Sequence, residues 1–310
     1  MATVIASERA TQRVEVVPFD ARLGALVRCG DVKTLEDAAF GEVYRAFLDN
    51  LVILIRNQDL SDEDLIAFGR RFGELQEDVS DLKLKRQKHA EIAVVSNVIE
   101  NGNPIGRLGD GEATWHTDIS YVDAPPTASI LYALEVPPSG GNTGFANMYL
   151  ALETMPAGLR QRIEGRTIKH DKRYTGGGYL RPGYTGKEDP RTAPGPNHPI
   201  VRKHPETGHD ALYLGRRHAY VNGLSIEESE ALLDALWTRA TQPAFTWHHE
   251  WQVSDVLIWD NRSVMHRRDA FDPNSRRVMH RTQCKGTPVI EGGFAGTPHP
   301  RAISVTASPA

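Results

Sequence analysis

Cysteine is nearly absent: Cys29 and Cys284 are the only two in 310 residues. Two are too few for a disulfide framework or a four-cysteine zinc site, so both read as reduced, small core residues. Long apolar runs are missing too. No stretch reaches the ~18 residues of a membrane span, and Met1 to Arg13 lack the apolar segment of a secretory signal. The expected location is the cytoplasm. Neither charge sign is in excess: 36 Lys and Arg stand against 40 Asp and Glu, a formal net charge of −4 with no basic field for nucleic acid or anionic lipid. A small-molecule partner is expected instead. The chain also lacks an internal repeat, a domain linker and a His-Glu-x-x-His run, the helix-borne ligand pair and base of one class of zinc hydrolase.

What is present is an ordinary globular composition, 40% hydrophobic and 25% charged, able to bury a sizeable core. A single domain over 1–310 is expected. Thr34 to Asn50 has helical apolar spacing and opens on Thr34 and Asp37 as a capping box. Leu51 to Arg56 reads as a buried strand, after which Ser61 and Asp64 cap a second helix to about Phe72. These form a helix–strand–helix cap over about 34–75. Strand-like runs recur at Glu91 to Ile99, Thr114 to Val122, Ser129 to Val136, Arg166 to His170, Val253 to Trp259 and Val278 to Gln283. That spacing predicts an antiparallel barrel or sandwich, with a core over about 91–286. Ser225 and Glu228 cap a helix to about Ala240, whose Leu232, Leu233 and Leu236 face the barrel from outside. Between Thr175 and Pro199, 11 of 25 residues are Gly or Pro, which predicts a long ordered loop or lid, with Tyr174, Tyr179 and Tyr184 nearby.

The chemistry concentrates in Trp115-His-Thr-Asp-Ile-Ser-Tyr121. On a strand, residues two apart share a face, so His116 and Asp118 project together while Trp115, Thr117, Ile119 and Tyr121 line the other side. One further histidine completes a facial triad, two imidazoles and a carboxylate, which holds iron(II) and leaves coordination positions open for oxygen chemistry. Spacing alone does not choose this pair, because His89-Ala-Glu91 and His248-His-Glu250 also read His-x-acid. A zinc hydrolase and a metal-free binding barrel stay open at this point.

Three ordered blocks resemble the taurine and 2,4-dichlorophenoxyacetate dioxygenase family. They are Trp115 to Tyr121 with Ala124-Pro-Pro126, Gly140-Gly-Asn-Thr143, and Trp259-Asp-Asn-Arg-Ser-Val-Met-His266 with Arg276-Arg-Val-Met-His-Arg281. The resemblance implies an α+β, mainly β fold with a double-stranded β-helix (jelly-roll) core and flanking helices. It implies a 2-oxoglutarate-dependent hydroxylase with iron(II), 2-oxoglutarate and oxygen as cofactor and co-substrates, working as a dimer or tetramer. Residue by residue, it implies His116, Asp118 and His266 as iron ligands, Thr143 and Arg277 as contacts to 2-oxoglutarate, and Arg281 as the arginine for an anionic substrate. Arg277, Met279 and Arg281 alternate onto one strand face, so two guanidinium groups can enter one cavity. The presence of Asp118, where related halogenases have a small residue, implies hydroxylation. Departures at Phe72-Gly-Glu-Leu-Gln-Glu-Asp78 and Gly109-Asp-Gly-Glu112 separate the chain from the taurine enzyme, and Glu77, Asp78 and Glu112 leave room for a zwitterion.

Overall fold

The computed structural model describes residues 12–77, 88–106, 113–294, 296 and 298–303. The chain is mainly β with few helices. A seven-stranded sheet runs, in spatial order, Glu15–Pro18, Ala25–Arg28, Val52–Ile55, Val256–Asp260, Ala128–Glu135, Val278–Gln283 and Ala93–Ser96. A four-stranded sheet runs Thr246–His249, Thr143–Asn147, Val264–Arg268 and Ala113–His116. All these pairings are antiparallel except Ala25–Arg28 with Val52–Ile55.

Alternation along the strands explains the layering. Leu54, Leu131, Leu257, Trp259 and Met279 share one apolar cluster with Phe145, Ala146 and Met265 of the smaller sheet. Their neighbours Ile53, Ile55, Ile130, Tyr132, Val256 and Ile258 join a second cluster with Val43, Phe47, Leu65 and Phe68 from two helices, Asp37–Asn50 and Asp62–Arg70. The larger sheet is thus buried on both faces, which is why its strands read as continuous apolar runs. The helix Ile226–Ala240 adds Leu232, Leu233 and Leu236 to the first cluster and packs on the strand Ala219–Val221. Cys29 and Cys284 are buried free thiols. Among the described residues, no helix is long and apolar enough to cross a membrane.

Two capping boxes form as expected: Ser61 with Asp64, and Ser225 with Glu228, each side chain bonding the other's backbone N–H. Thr34 does not cap the first helix. Asp31 accepts from Lys33 N and starts a short 3-10 turn, Val32–Thr34; the helix then begins at Asp37 after Glu36, without a side-chain cap. The strand expected from Thr114 to Val122 ends at His116. The backbone leaves the sheet where Thr117 N donates to Gly215 O, and Ile119 turns it through the left-handed region at φ 43°. A β-branched residue is rarely found there, so the turn is held by its surroundings.

Candidate active site

His116 closes its strand and His266 lies on the neighbouring one, paired in register, so both imidazoles leave the same sheet face with ring centroids 4.2 Å apart. Asp118 reaches them from the turn, not from the strand. Its Oδ1 lies 3.7 Å from His116 Nε2 and 3.7 Å from His266 Nε2. The three side chains are buried, and one ligand atom from each lies within 4.8 Å of the others, a group able to hold a metal ion. The chemistry of the donors fits a divalent metal. His116 Nδ1 lies 2.8 Å from Thr114 O, which can only accept, so the ring proton sits on Nδ1 and the Nε2 lone pair is left for a ligand. Burial, then His116, push His266 down to about 3, keeping that imidazole neutral. Burial alone would raise Asp118, but Arg281, His266 and His116 outweigh it and hold the carboxyl well below its usual range.

A second constellation lines the same cavity. Thr143, 4% exposed, accepts a hydrogen bond from Trp251 Nε1 at 3.0 Å. Arg277 is 2% exposed; its Nε is buried without a partner and its guanidinium carbon stands 5.9 Å from the Trp251 ring centroid. Burial, then Arg268, push Arg277 down to about 9, a sign that the pocket is short of negative charge. The Gly-Gly pair of the second block shapes this corner. Gly140 and Gly141 have φ of 74° and 64°, and a Cβ on Gly140 would stand 2.6 Å from Ala270 O.

The cavity is lined by Val95, Leu131 and Trp259, by His116 and His266, and by Arg267, Arg268, Arg277 and Arg281, and Asp118 adjoins it against both imidazoles and Arg281. Arg281 comes within 3.3 Å of Asp118 Oδ1, while its Nε is buried without a partner. From the Gly-rich loop, Gly176 lines the cavity; a Cβ there would stand 2.8 Å from His116 Nε2. Tyr179 is 66% exposed and Tyr174 stacks on His218 at 3.8 Å, so neither tyrosine lines the cavity.

The structure brings His116, Asp118, His266, Thr143, Arg277 and Arg281 together. The other His-x-acid pairs go elsewhere. His89 contacts Glu63, and His248 contacts Asp269 at 3.3 Å. Asp78 and Glu112 lie outside the described residues, and Glu77 is exposed. Trp251, Ser129 and Gln283 were missed by sequence reasoning. Gln283 had a signal, since it continues the alternation 277, 279, 281; Ser129 is the polar start of an apolar strand; Trp251 had none.

The family model described as taurine catabolism dioxygenase TauD, TfdA family matches residues 15–283. The (S)-phenoxypropionate/alpha-ketoglutarate-dioxygenase of Sphingobium herbicidovorans is 31% identical over 294 residues, covering 91% of this chain and 98% of that protein. The alpha-ketoglutarate-dependent 2,4-dichlorophenoxyacetate dioxygenase of Cupriavidus pinatubonensis is 35% identical over 250 residues, 77% of this chain and 86% of that one. The crystal structure of AAD-2 in complex with Mn(II) and N-oxalylglycine superposes with a TM-score of 0.74 at 30% identity, covering 90% of this chain and 100% of that one.

Proposed function

Because this chain belongs to the TauD, TfdA family and is an iron(II)- and 2-oxoglutarate-dependent dioxygenase, we propose that His116, Asp118 and His266 hold its iron. The observation that carries the reading is the convergence of their three ligand atoms within 4.8 Å in a buried group. A facial triad occupies one side of the metal and leaves the other open. When bound, iron(II) would supply the redox chemistry by which one dioxygen oxidises both 2-oxoglutarate, to succinate and carbon dioxide, and a substrate carbon, which is hydroxylated.

The chain's own residues bind and orient the reactants. Arg277 pairs with the distal carboxylate of 2-oxoglutarate, since a planar guanidinium makes two charge-assisted bonds to a carboxylate and this one is buried with its Nε unpartnered. Thr143 donates its hydroxyl proton to the same molecule, because its oxygen already accepts from Trp251. Val95, Leu131 and Trp259 keep the cavity apolar, which excludes water and strengthens each charge pair inside it. Arg281 binds the acid group of the primary substrate, for which a cavity lined by four arginines is suited. The substrate class is a small anion, a phenoxy acid or related carboxylate or a sulfonate; relatives named for phenoxypropionate and 2,4-dichlorophenoxyacetate support it. The two-sheet layering supports a jelly-roll core, and shared apolar clusters support one catalytic domain. By the family resemblance, the working form is a dimer or tetramer.

The test is a panel of phenoxy acids, sulfonates, sulfate esters and amino acids, scored by succinate release. An anionic member stimulates turnover in the parent, and Arg281→Ala raises the apparent KM for it while leaving that for 2-oxoglutarate nearly unchanged. Equal loss for both, or stimulation by cationic compounds alone, rejects the assignment of Arg281.

A further inference from the structure

The two oxygens of Asp118 keep different company. Oδ1 faces both imidazoles at 3.7 Å. Oδ2 accepts from Ser129 Oγ at 3.0 Å and from Gln283 Nε2 at 2.9 Å, with Arg281 Nη1 near both oxygens at 3.3 and 3.4 Å. Behind this pair, Ser129 Oγ accepts from Asn261 Nδ2 at 2.8 Å and from Gln283 Nε2 at 2.9 Å, and Asn261 Oδ1 accepts from Trp259 Nε1 at 3.1 Å. Ser129, Trp259 and Asn261 are each no more than 2% exposed. Sheet register puts Trp259 and Gln283 on either side of Ser129, so the group spans three adjacent strands.

The direction of these bonds follows from one donor. An indole N–H can only donate, so Asn261 turns its oxygen toward Trp259 and its amide toward Ser129. Both lone pairs of the Ser129 hydroxyl are then engaged by amide protons. Its single proton goes to Asp118 Oδ2. Gln283 is fixed in the same way, for its two amide protons serve Asp118 and Ser129 while its oxygen accepts from Gln76 Nε2 at 3.2 Å. A buried network with every member satisfied is rigid, and here its rigidity ends on one oxygen of one ligand.

We propose that Trp259, Asn261, Ser129 and Gln283 are positioning residues that occupy Asp118 Oδ2 and present Oδ1 alone to the metal, an inference that rests on the triad reading above. Hydrogen-bonded partners of metal ligands change affinity by about 10- to 100-fold when removed. The network also dictates a sign: Asn261→Asp, of nearly the same shape, offers Ser129 an acceptor and draws its proton away from Asp118.

Titration of metal-free protein with Mn(II), followed by electron paramagnetic resonance, tests this without turnover. Ser129→Ala and Gln283→Met each weaken Mn(II) binding by about 10- to 100-fold, and Asn261→Asp, once ionised, weakens it too and also lowers the thermal unfolding midpoint because it buries a carboxylate without a cationic partner. Ser129→Thr, which keeps the hydroxyl, restores most of the affinity. The bound-Mn(II) spectrum of the Ser129→Ala/Gln283→Met double variant also changes, because Oδ2 has then lost both network donors and can join the metal. If the parent binds, His116→Ala does not, and the network variants bind like the parent, the network is overturned and the triad stands. If the parent takes up no Mn(II), both readings fall together.

Discussion

At the scale of single residues, Arg277 is the side chain whose surroundings most require a ligand. A guanidinium at 2% exposure, with an unpartnered Nε and Arg268 beside it, is costly until an anion arrives. A hydrogen bond to a charged group contributes about 1.5–3 kcal/mol, so Arg277→Ala should weaken 2-oxoglutarate use about 10- to 100-fold, read as apparent KM. Unchanged dependence removes Arg277 from the site. Trp251→Phe deletes one neutral donor to Thr143 and should raise the same KM by only about 2- to 10-fold, the effect of about 0.5–1.5 kcal/mol. A loss as large as that of Arg277→Ala would mean that the indole does more than orient Thr143. The ligand residues were legible because each sits in a short block with fixed order. Trp251 was not, because its partner Thr143 lies 108 residues away and no local spacing marks it.

Secondary-structure elements were legible where the determining contact is local. Ser61 and Ser225 cap their helices through partners three residues on, so both boxes stood in the sequence. Thr34 misled because Asp31 captured the preceding turn. The strand at His116 ended early for a non-local reason, the backbone of Gly215, which period-two reading cannot contain. The Gly-rich loop is held on the site by Thr114 Oγ1 donating to Gly176 O at 3.1 Å and by Arg181 donating to Tyr121 Oη at 3.1 Å. Its closest approach is Gly176, where any Cβ meets His116. Gly176→Ala should therefore cost about 1–3 kcal/mol in the fit of the loop against His116, the usual range for overpacking, and raise the KM for 2-oxoglutarate about tenfold. Parent-like kinetics would place the loop away from the working site. Deletion of the Ser61 hydroxyl, far from the cavity, should cost stability of about 1 kcal/mol and leave kinetics alone.

For the whole molecule, acid is the expected weakness. Burial, then the neighbouring His198, hold His170 well below its usual range, and burial with His209 pushes His299 down to about 4. The unfolded chain binds protons at these histidines near pH 6.5 while the folded chain does not, so stability falls as pH drops below about 6.5 toward 4. Urea midpoints that stay flat from pH 7 to 4.5 would contradict this. The pairing of eleven strands into two sheets was beyond sequence reading, since partners such as Val52–Ile55 and Val256–Asp260 lie some two hundred residues apart. Continuous apolar runs such as Leu51 to Ile55 nevertheless announced strands buried on both faces. The central claim is that three side chains from a strand end, a turn and a neighbouring strand form the iron site of a 2-oxoglutarate-dependent dioxygenase. It is tested most directly by loading the protein with iron(II) without air, adding 2-oxoglutarate and a stimulating substrate, admitting oxygen and measuring succinate. The account predicts succinate and hydroxylated product in equal amounts from the parent and neither from His266→Ala. Undiminished succinate from His266→Ala, with iron still bound, would contradict it.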